Sequence, residues 1–191
     1  IHRSIEMIIA VLGVLKSGAG YAPIDPKTPL VRLTYLLQDT NSKILLTDSI
    51  IASKYNLKLR QKSIALDTEW TNIENFCTNK INSKFPTSSL AVILYTSGST
   101  GKPKGVQLSH ESLVNRLVWD TQTYKHLASD IILQHASLAF DFSILEIFMA
   151  LANGGKLILA RPNFHYESLY LIDLIQTEKI TKIGSVPSLL K

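Results

Sequence analysis

The sequence predicts an α/β fold in which sheets are covered by helices. Three observations carry this. Short apolar runs of strand length alternate with stretches of helical periodicity, Gly, Pro, Ser and Thr punctuate them, and no internal repeat or low-complexity tract interrupts the pattern. The 191 residues, 46% of them apolar, are enough to bury the core of about one domain.

Residues 5–15 are apolar almost throughout, with Ile5, Ile8, Ile9, Leu12 and Leu15 at helical spacing, which predicts a helix buried on most of its circumference and ended by Lys16-Ser17-Gly18. The stretch to Pro29 is turn-rich. Thr28 stands where a side chain can cap a helix that opens on Pro29 and turns Leu30, Leu33, Leu36 and Leu37 inward. A strand is expected over 43–47. Residues 53–89 are polar and weakly patterned, so they read as surface with one short strand at 63–66. Alternation then resumes with strand 90–95, a glycine-rich loop, strand 105–108 and a helix capped by Ser109 that runs to about Tyr124. Strand 131–135, helix 143–152, strand 156–160, helix 167–178 and strand 181–184 complete the pattern. Ser143 with Glu146 three residues on forms a capping box, which leaves Asp141 for another task.

Bulk properties exclude several classes. The net charge of +5 comes from 20 basic and 15 acidic side chains with no basic stripe beyond Lys58, Arg60 and Lys62, so nucleic acid is not the expected partner. One cysteine, Cys77, rules out an internal disulfide framework and a thiolate metal cluster and suits a reducing cytoplasm. His110, His126, His135 and His165 have no second ligand at metal spacing and are expected as surface or hydrogen-bonded core residues, so no metal site is assigned. No apolar run reaches the roughly 20 residues that a membrane span requires.

The chemistry concentrates in one loop. Directly after an apolar strand, residues 96–105 hold the hydroxyls of Thr96, Ser97, Ser99 and Thr100, the glycines Gly98, Gly101 and Gly105, and the cations Lys102 and Lys104. Glycines let successive backbone N–H groups converge on an anion, hydroxyls add donors and lysines add countercharge, so the composition is that of a phosphate-wrapping loop. A Walker A loop would need glycine where Pro103 stands, and a dinucleotide fingerprint would need glycine where Thr100 stands. A serine-hydrolase elbow around Ser97 or Ser99 lacks its first glycine and has no compelling acid and histidine order behind it.

The run Tyr95-Thr96-Ser97-Gly98-Ser99-Thr100-Gly101-Lys102-Pro103-Lys104-Gly105 resembles the signature loop of the adenylate-forming superfamily, which includes acyl- and aryl-CoA ligases, luciferases and the adenylation domains of nonribosomal peptide synthetases. The resemblance implies that Thr96, Ser97, Gly98, Ser99, Thr100 and Gly101, with Lys104 behind them, close over the β- and γ-phosphates of ATP. Residues 15–25 look like an early motif of the peptide-synthetase branch, with Gly20-Tyr21 where the family usually has Ala-Tyr; read bottom-up, this segment is architectural. Phe140-Asp141-Phe142-Ser143 resembles the segment in which the aspartate holds the α-ammonium of an amino-acid substrate. By the same resemblance Phe142, Leu145 and Gly184 line the substrate pocket, large, apolar and small in turn, which suits a neutral or apolar side chain. The run Asn115 to Trp119 is also similar to that branch, although Leu113, Leu117 and Val118 read as a core face and Trp119 as packing.

The resemblance implies ATP and Mg2+ as cofactors, aminoacyl-AMP and pyrophosphate as products, and a phosphopantetheinyl carrier protein and neighbouring synthetase domains as partners. No catalytic residue is assigned within the chain. The family's adenine- and ribose-binding motifs, its Mg-coordinating glutamate and the lysine of its C-terminal lid subdomain would follow Lys191, so the chain reads as part of a large subdomain. An acyl- or aryl-CoA ligase is the alternative, and a serine hydrolase a remote one.

Overall fold

The computed structural model describes residues 1–55, 61–79, 81, 84–97 and 102–187. Helices α1 (Ile5–Lys16) and α2 (Leu30–Asp39) come first, followed by β1 (Ile44–Thr47), α3 (Ser49–Tyr55), β2 (Lys62–Ala65) and α4 (Leu66–Glu74). The hairpin β3 (Leu90–Thr96) and β4 (Lys104–Ser109) leads into α5 (His110–Tyr124), then β5 (Ile131–Gln134), α6 (Phe142–Ala152), β6 (Lys156–Leu159) and α7 (Ser168–Thr177). Strands β1 and β2 pair in parallel around α3, β5 and β6 pair in parallel around α6, and β3 and β4 are antiparallel. The fold is mixed α/β, as the alternation predicts.

The core gathers on α6, whose Ile144, Ile147, Met149 and Ala150 are buried against three neighbours. Ile147 meets Met7 and Ile8 of α1, Ile144 meets Val92 and Leu94 of β3, and Met149 with Ala150 meets Ile132 of β5. Each fully buried aliphatic side chain contributes about 1.5–3 kcal/mol, so α6 is the element that unites hairpin, parallel sheet and first helix.

The segment after α1 is architectural. Gly18 takes φ +81, a left-handed conformation that glycine adopts without strain at a helix end. Tyr21 then lies along β3, donating its N–H to the Ala91 carbonyl and accepting from the Ile93 N–H, with Gly20 packed so closely that a Cβ would meet Leu90 at 2.8 Å.

Several expectations are corrected. Ile5 and Ile9 are exposed, because only the face bearing Met7, Ile8 and Val11 meets the core. Thr28 caps nothing; Pro29 occupies the cap position of α2, and Leu30 is exposed while Leu33, Leu36 and Leu37 are buried. The polar middle holds one helix, α4, and the end of another, α3, which begins ahead of it at Ser49. The cue for α3 was Asp48, whose carboxylate accepts from the Ile51 N–H at 2.9 Å, with Asp67 accepting from the Ser49 N–H. Val118 is exposed on α5, while Leu113 and Leu117 pack inward. Strand 181–184 is reduced to a single parallel bridge between Lys182 and Ile132, on the side of β5 away from β6. The capping box of α6 does not form. Asp141 takes the cap position without a side-chain bond, the Ser143 hydroxyl donates back to the Phe140 carbonyl at 2.7 Å, and Glu146 turns inward to the end of β5.

Candidate functional site

The glycine-rich loop joins the two strands of the β3–β4 hairpin. Tyr95 pairs with Gly105 and Thr96 with Lys104, so the last rung sets a hydroxyl opposite an ammonium at the mouth of the loop. Thr96, Ser97 and Lys104 are all exposed there, as is Lys102. Gly98, Ser99, Thr100 and Gly101 lie outside the described residues. Gly105 is required by its partner strand, since a Cβ would come within 2.9 Å of Ile93 and 3.2 Å of the Tyr95 ring.

Helix α2 holds both ends of this loop. The Tyr95 hydroxyl donates to Asp39 Oδ2 at 2.5 Å, and the Tyr35 hydroxyl donates to the Pro103 carbonyl at 3.3 Å. Burial, reinforced by the Asp39 carboxylate, raises the Tyr95 hydroxyl above its ordinary range, which keeps it a donor. Sequence reasoning missed Tyr35 and Asp39. Their one cue is the four-residue spacing that puts both on one helical face.

His110 opens α5 beside the hairpin, its ring 4.9 Å from that of Phe85 and its Nε2 buried without a hydrogen-bond partner among the described residues. Among the described residues the Nδ1 atoms of His126 and His165 likewise make no hydrogen bond, although that of His126 lies 3.8 Å from Asp130 Oδ2. His135 is satisfied. Burial lowers His165 to about 4, so its ring is neutral at pH 7.

The acid-binding candidates converge where β5 ends and α6 begins. Asp141 is exposed at the N-terminus of α6 and makes no side-chain hydrogen bond or ion pair among the described residues. Phe142 lies on Gly184 so closely that any Cβ on the glycine would meet the ring. Leu145, one turn further along α6, is partly buried against the cluster of Ile132, Met149 and Ala150. The structure therefore brings Phe142 and Gly184 together, with Asp141 adjoining Phe142 in sequence and Leu145 on the same helix.

Behind this wall stands a buried polar cluster that the sequence reading did not assign. Glu146, 3% exposed, accepts from Gln134 Nε2 and the Ala136 N–H at 3.1 Å, and His135 Nε2 lies 3.4 Å from its Oε1. The same Nε2 is 2.6 Å from the Gly184 carbonyl; a carbonyl only accepts, so Nε2 carries the hydrogen. Arg3 reaches in from before α1 to Gln134 Oε1 at 2.6 Å and the His135 carbonyl at 2.5 Å. Burial pushes Glu146 up to about 7, against the pull of these donors. The inward turn of Glu146 replaces its expected capping role.

The groups at the hairpin mouth suit a polyphosphate: Lys104 would supply countercharge, and Thr96 and Ser97 would supply donors at an exposed edge. Among the described residues no three His, Cys, Asp or Glu side chains gather as a metal cage, and a Mg2+ held mainly by phosphate oxygens and water needs none. A cavity of about 820 Å³ lies elsewhere, between α1, α2, β1 and the 136–138 segment; neither the described loop residues nor Asp141, Phe142, Leu145 or Gly184 line it. No helix among the described residues is long and apolar enough to cross a membrane.

The chain is 38% identical over 190 residues to tyrocidine synthase 3 of Brevibacillus parabrevis, covering 100% of the chain and 3% of that protein. It is 34% identical to zwittermicin A synthase ZmaJ of Bacillus cereus, covering 100% of the chain and 36% of that protein. Among solved structures, the nonribosomal peptide synthetase FmoA3 superposes with a TM-score of 0.90 at 28% identity over 99% of the chain and 20% of its own. The Klebsiella oxytoca NpsA N-terminal subdomain, in complex with 3-hydroxybenzoyl-AMSN, superposes with a TM-score of 0.80 at 27% identity over 95% of the chain and 44% of its own. The model of the AMP-binding enzyme family matches residues 1–191 throughout, and the chain belongs to that family.

Proposed function

We propose that this chain is part of the large subdomain of an amino-acid-activating adenylation domain in a nonribosomal peptide synthetase, with the lid and carrier domains supplied elsewhere in that protein. The observation that carries the amino-acid reading is Asp141, an exposed carboxylate that makes no side-chain hydrogen bond or close ion pair among the described residues and feels Arg116 only through space, next to the apolar wall of Phe142, Leu145 and Gly184. An ammonium entering there gives the carboxylate a charged hydrogen-bond partner while the substrate side chain rests on apolar surface. FmoA3 is also known in an AMPPNP-bound form and in an alpha-methyl-L-serine-AMP bound form, which supports both ligands here.

ATP, bound with Mg2+, supplies the α-phosphorus: a substrate carboxylate oxygen forms a bond to it, its bond to the bridging oxygen breaks, and pyrophosphate leaves with the electron pair. Two anions must meet. The contribution of this chain is positioning and countercharge, with Thr96, Ser97 and Lys104 at the phosphates, Gly98 to Gly101 between them, and Asp141 at the ammonium. A carrier-protein pantetheine thiol then gives up its proton to solvent and bonds to the acyl carbon, the bond from that carbon to the phosphate oxygen breaks, and AMP leaves with the electron pair. No protein nucleophile is involved, and a cytoplasmic setting suits the single exposed Cys77.

The second reading is an aryl- or acyl-acid ligase. It is favoured by the aryl compound in the NpsA subdomain, and it gives Asp141 no role. ATP–pyrophosphate exchange by the intact adenylation domain, with a panel of amino acids and a panel of simple carboxylic acids, separates the two. Amino-acid-dependent exchange that falls at least about 100-fold in kcat/KM in Asp141→Ala, with KM for ATP unchanged, is the expected result, on the scale of a lost charged pair. Exchange confined to simple acids, or an unchanged amino-acid preference in the variant, overturns the amino-acid reading.

A further inference from the structure

The wall that faces the substrate side chain combines one element fixed by the core with one that is not. Phe142 and Leu145 ride on α6, which is anchored by Ile144, Ile147, Met149 and Ala150. Gly184 lies beyond the lone bridge at Lys182, in a segment with no strand of its own. At Gly184 itself the tie to the parallel sheet is the 2.6 Å bond from His135 Nε2 to the glycine carbonyl. His135 is 7% exposed; Glu146 Oε1 accepts from its backbone N–H at 3.4 Å, and the oxygens of Glu146 also collect Gln134 Nε2 and the Ala136 N–H.

We propose that His135, held at its backbone N–H by Glu146, is a positioning residue that holds the Gly184 carbonyl against β5 and so sets the spacing between Gly184 and Phe142 on which selection of the substrate side chain depends. The inference rests on the reading of Phe142 and Gly184 as substrate-facing. His135 does not touch the substrate. It acts through a backbone carbonyl, so its loss moves Gly184 relative to a ring that already excludes a Cβ. Release of that carbonyl lets the wall relax, and larger side chains gain relative to smaller ones. A pocket discriminates between acids that differ by a methylene or two by roughly 10- to 200-fold, so relaxation should appear mainly as loss of that ratio.

The test uses the intact adenylation domain and measures exchange kcat/KM for the best amino acid and for two neutral analogues of larger side-chain volume, together with KM for ATP. His135→Leu removes the donor at similar volume, and His135→Gln restores an N–H that can reach a carbonyl. The expected result is that His135→Leu lowers the small-to-large ratio at least about tenfold with KM for ATP within about twofold, and that His135→Gln recovers most of the ratio. If His135→Leu does not fold, His135→Gln and Glu146→Gln carry the test, with Glu146→Gln expected to shift the ratio in the same direction by a smaller factor. Unchanged ratios in the folded variants, or losses equal for all acids and for ATP, overturn the positioning role while leaving the adenylation reading intact. A wild-type domain that exchanges with no amino acid overturns that reading, and the positioning role with it.

Discussion

The hairpin that carries the glycine-rich loop and the wall that gathers Phe142 and Gly184 are built in opposite ways. The hairpin presents its chemistry as consecutive residues on an exposed edge, with Thr96 opposite Lys104 across one rung. The wall is assembled from distant residues over a buried polar cluster, in which His135 and Gly184 bond across 49 positions. Charge exposed to water is a weak determinant of stability, whereas groups removed from water must be partnered or shift their titration. Damage to the wall should therefore register in folding as well as in function, and damage to the exposed loop end of the hairpin mainly in function.

The sharpest break in that comparison is a cavity under the wall. Ile147, fully buried between α6 and α1, supports the helix that bears Asp141 and Phe142. Ile147→Ala is expected to destabilise the chain by about 2–5 kcal/mol in urea unfolding, and a value near zero would show that α6 is not the organising element.

Next in size is a pH effect confined to the wall. Glu146 has a folded value of about 7, raised from the ordinary 4.5 by burial. Its neutral form is favoured in the folded chain, so the contribution to stability is fully present below about 4.5 and is lost as pH rises through about 7. The unfolding free energy of wild type relative to Glu146→Gln should fall by on the order of 3 kcal/mol between those limits, at about 1.4 kcal/mol per unit. A difference that is flat with pH would mean the carboxylate is charged throughout.

The smallest effect belongs to the hairpin. Tyr35→Phe removes the bond to the Pro103 carbonyl, a contact worth about 0.5–1.5 kcal/mol. In the intact domain we expect KM for ATP to rise by up to about tenfold, with amino-acid selectivity unchanged and stability altered by no more than that bond. A change in selectivity with no change at ATP would place the effect of α2 at the wall instead.

Much of the fold was legible because periodicity reports burial. The helix over Ser109 to Tyr124 and the strand ahead of the loop stand close to where the pattern puts them, since an N-cap serine and an uninterrupted apolar run act locally. The polar middle was not legible as helix. Helices α3 and α4 are short, and α3 is begun by the carboxylate of Asp48 while Asp67 binds its first N–H from a distant helix. At the site, the loop was readable from composition, but the α2 residues that grip its ends lie 56 and 68 positions from their partners. Ser143 and Glu146 had the spacing of a cap, yet Glu146 found stronger donors at the end of β5.

What the sequence by itself determined is whatever depends on neighbours along the chain: the α/β alternation, the phosphate-type loop and the family to which its motif belongs. Tertiary structure alone decided which face of each helix is covered, that residues 181–184 shrink to a bridge, and that His135, Glu146 and Gly184 form one unit. The physical reason is that burial and hydrogen-bond partnership are properties of surfaces brought together, and a buried carboxylate takes the donors that packing delivers to it, whatever role its spacing along the chain suggests.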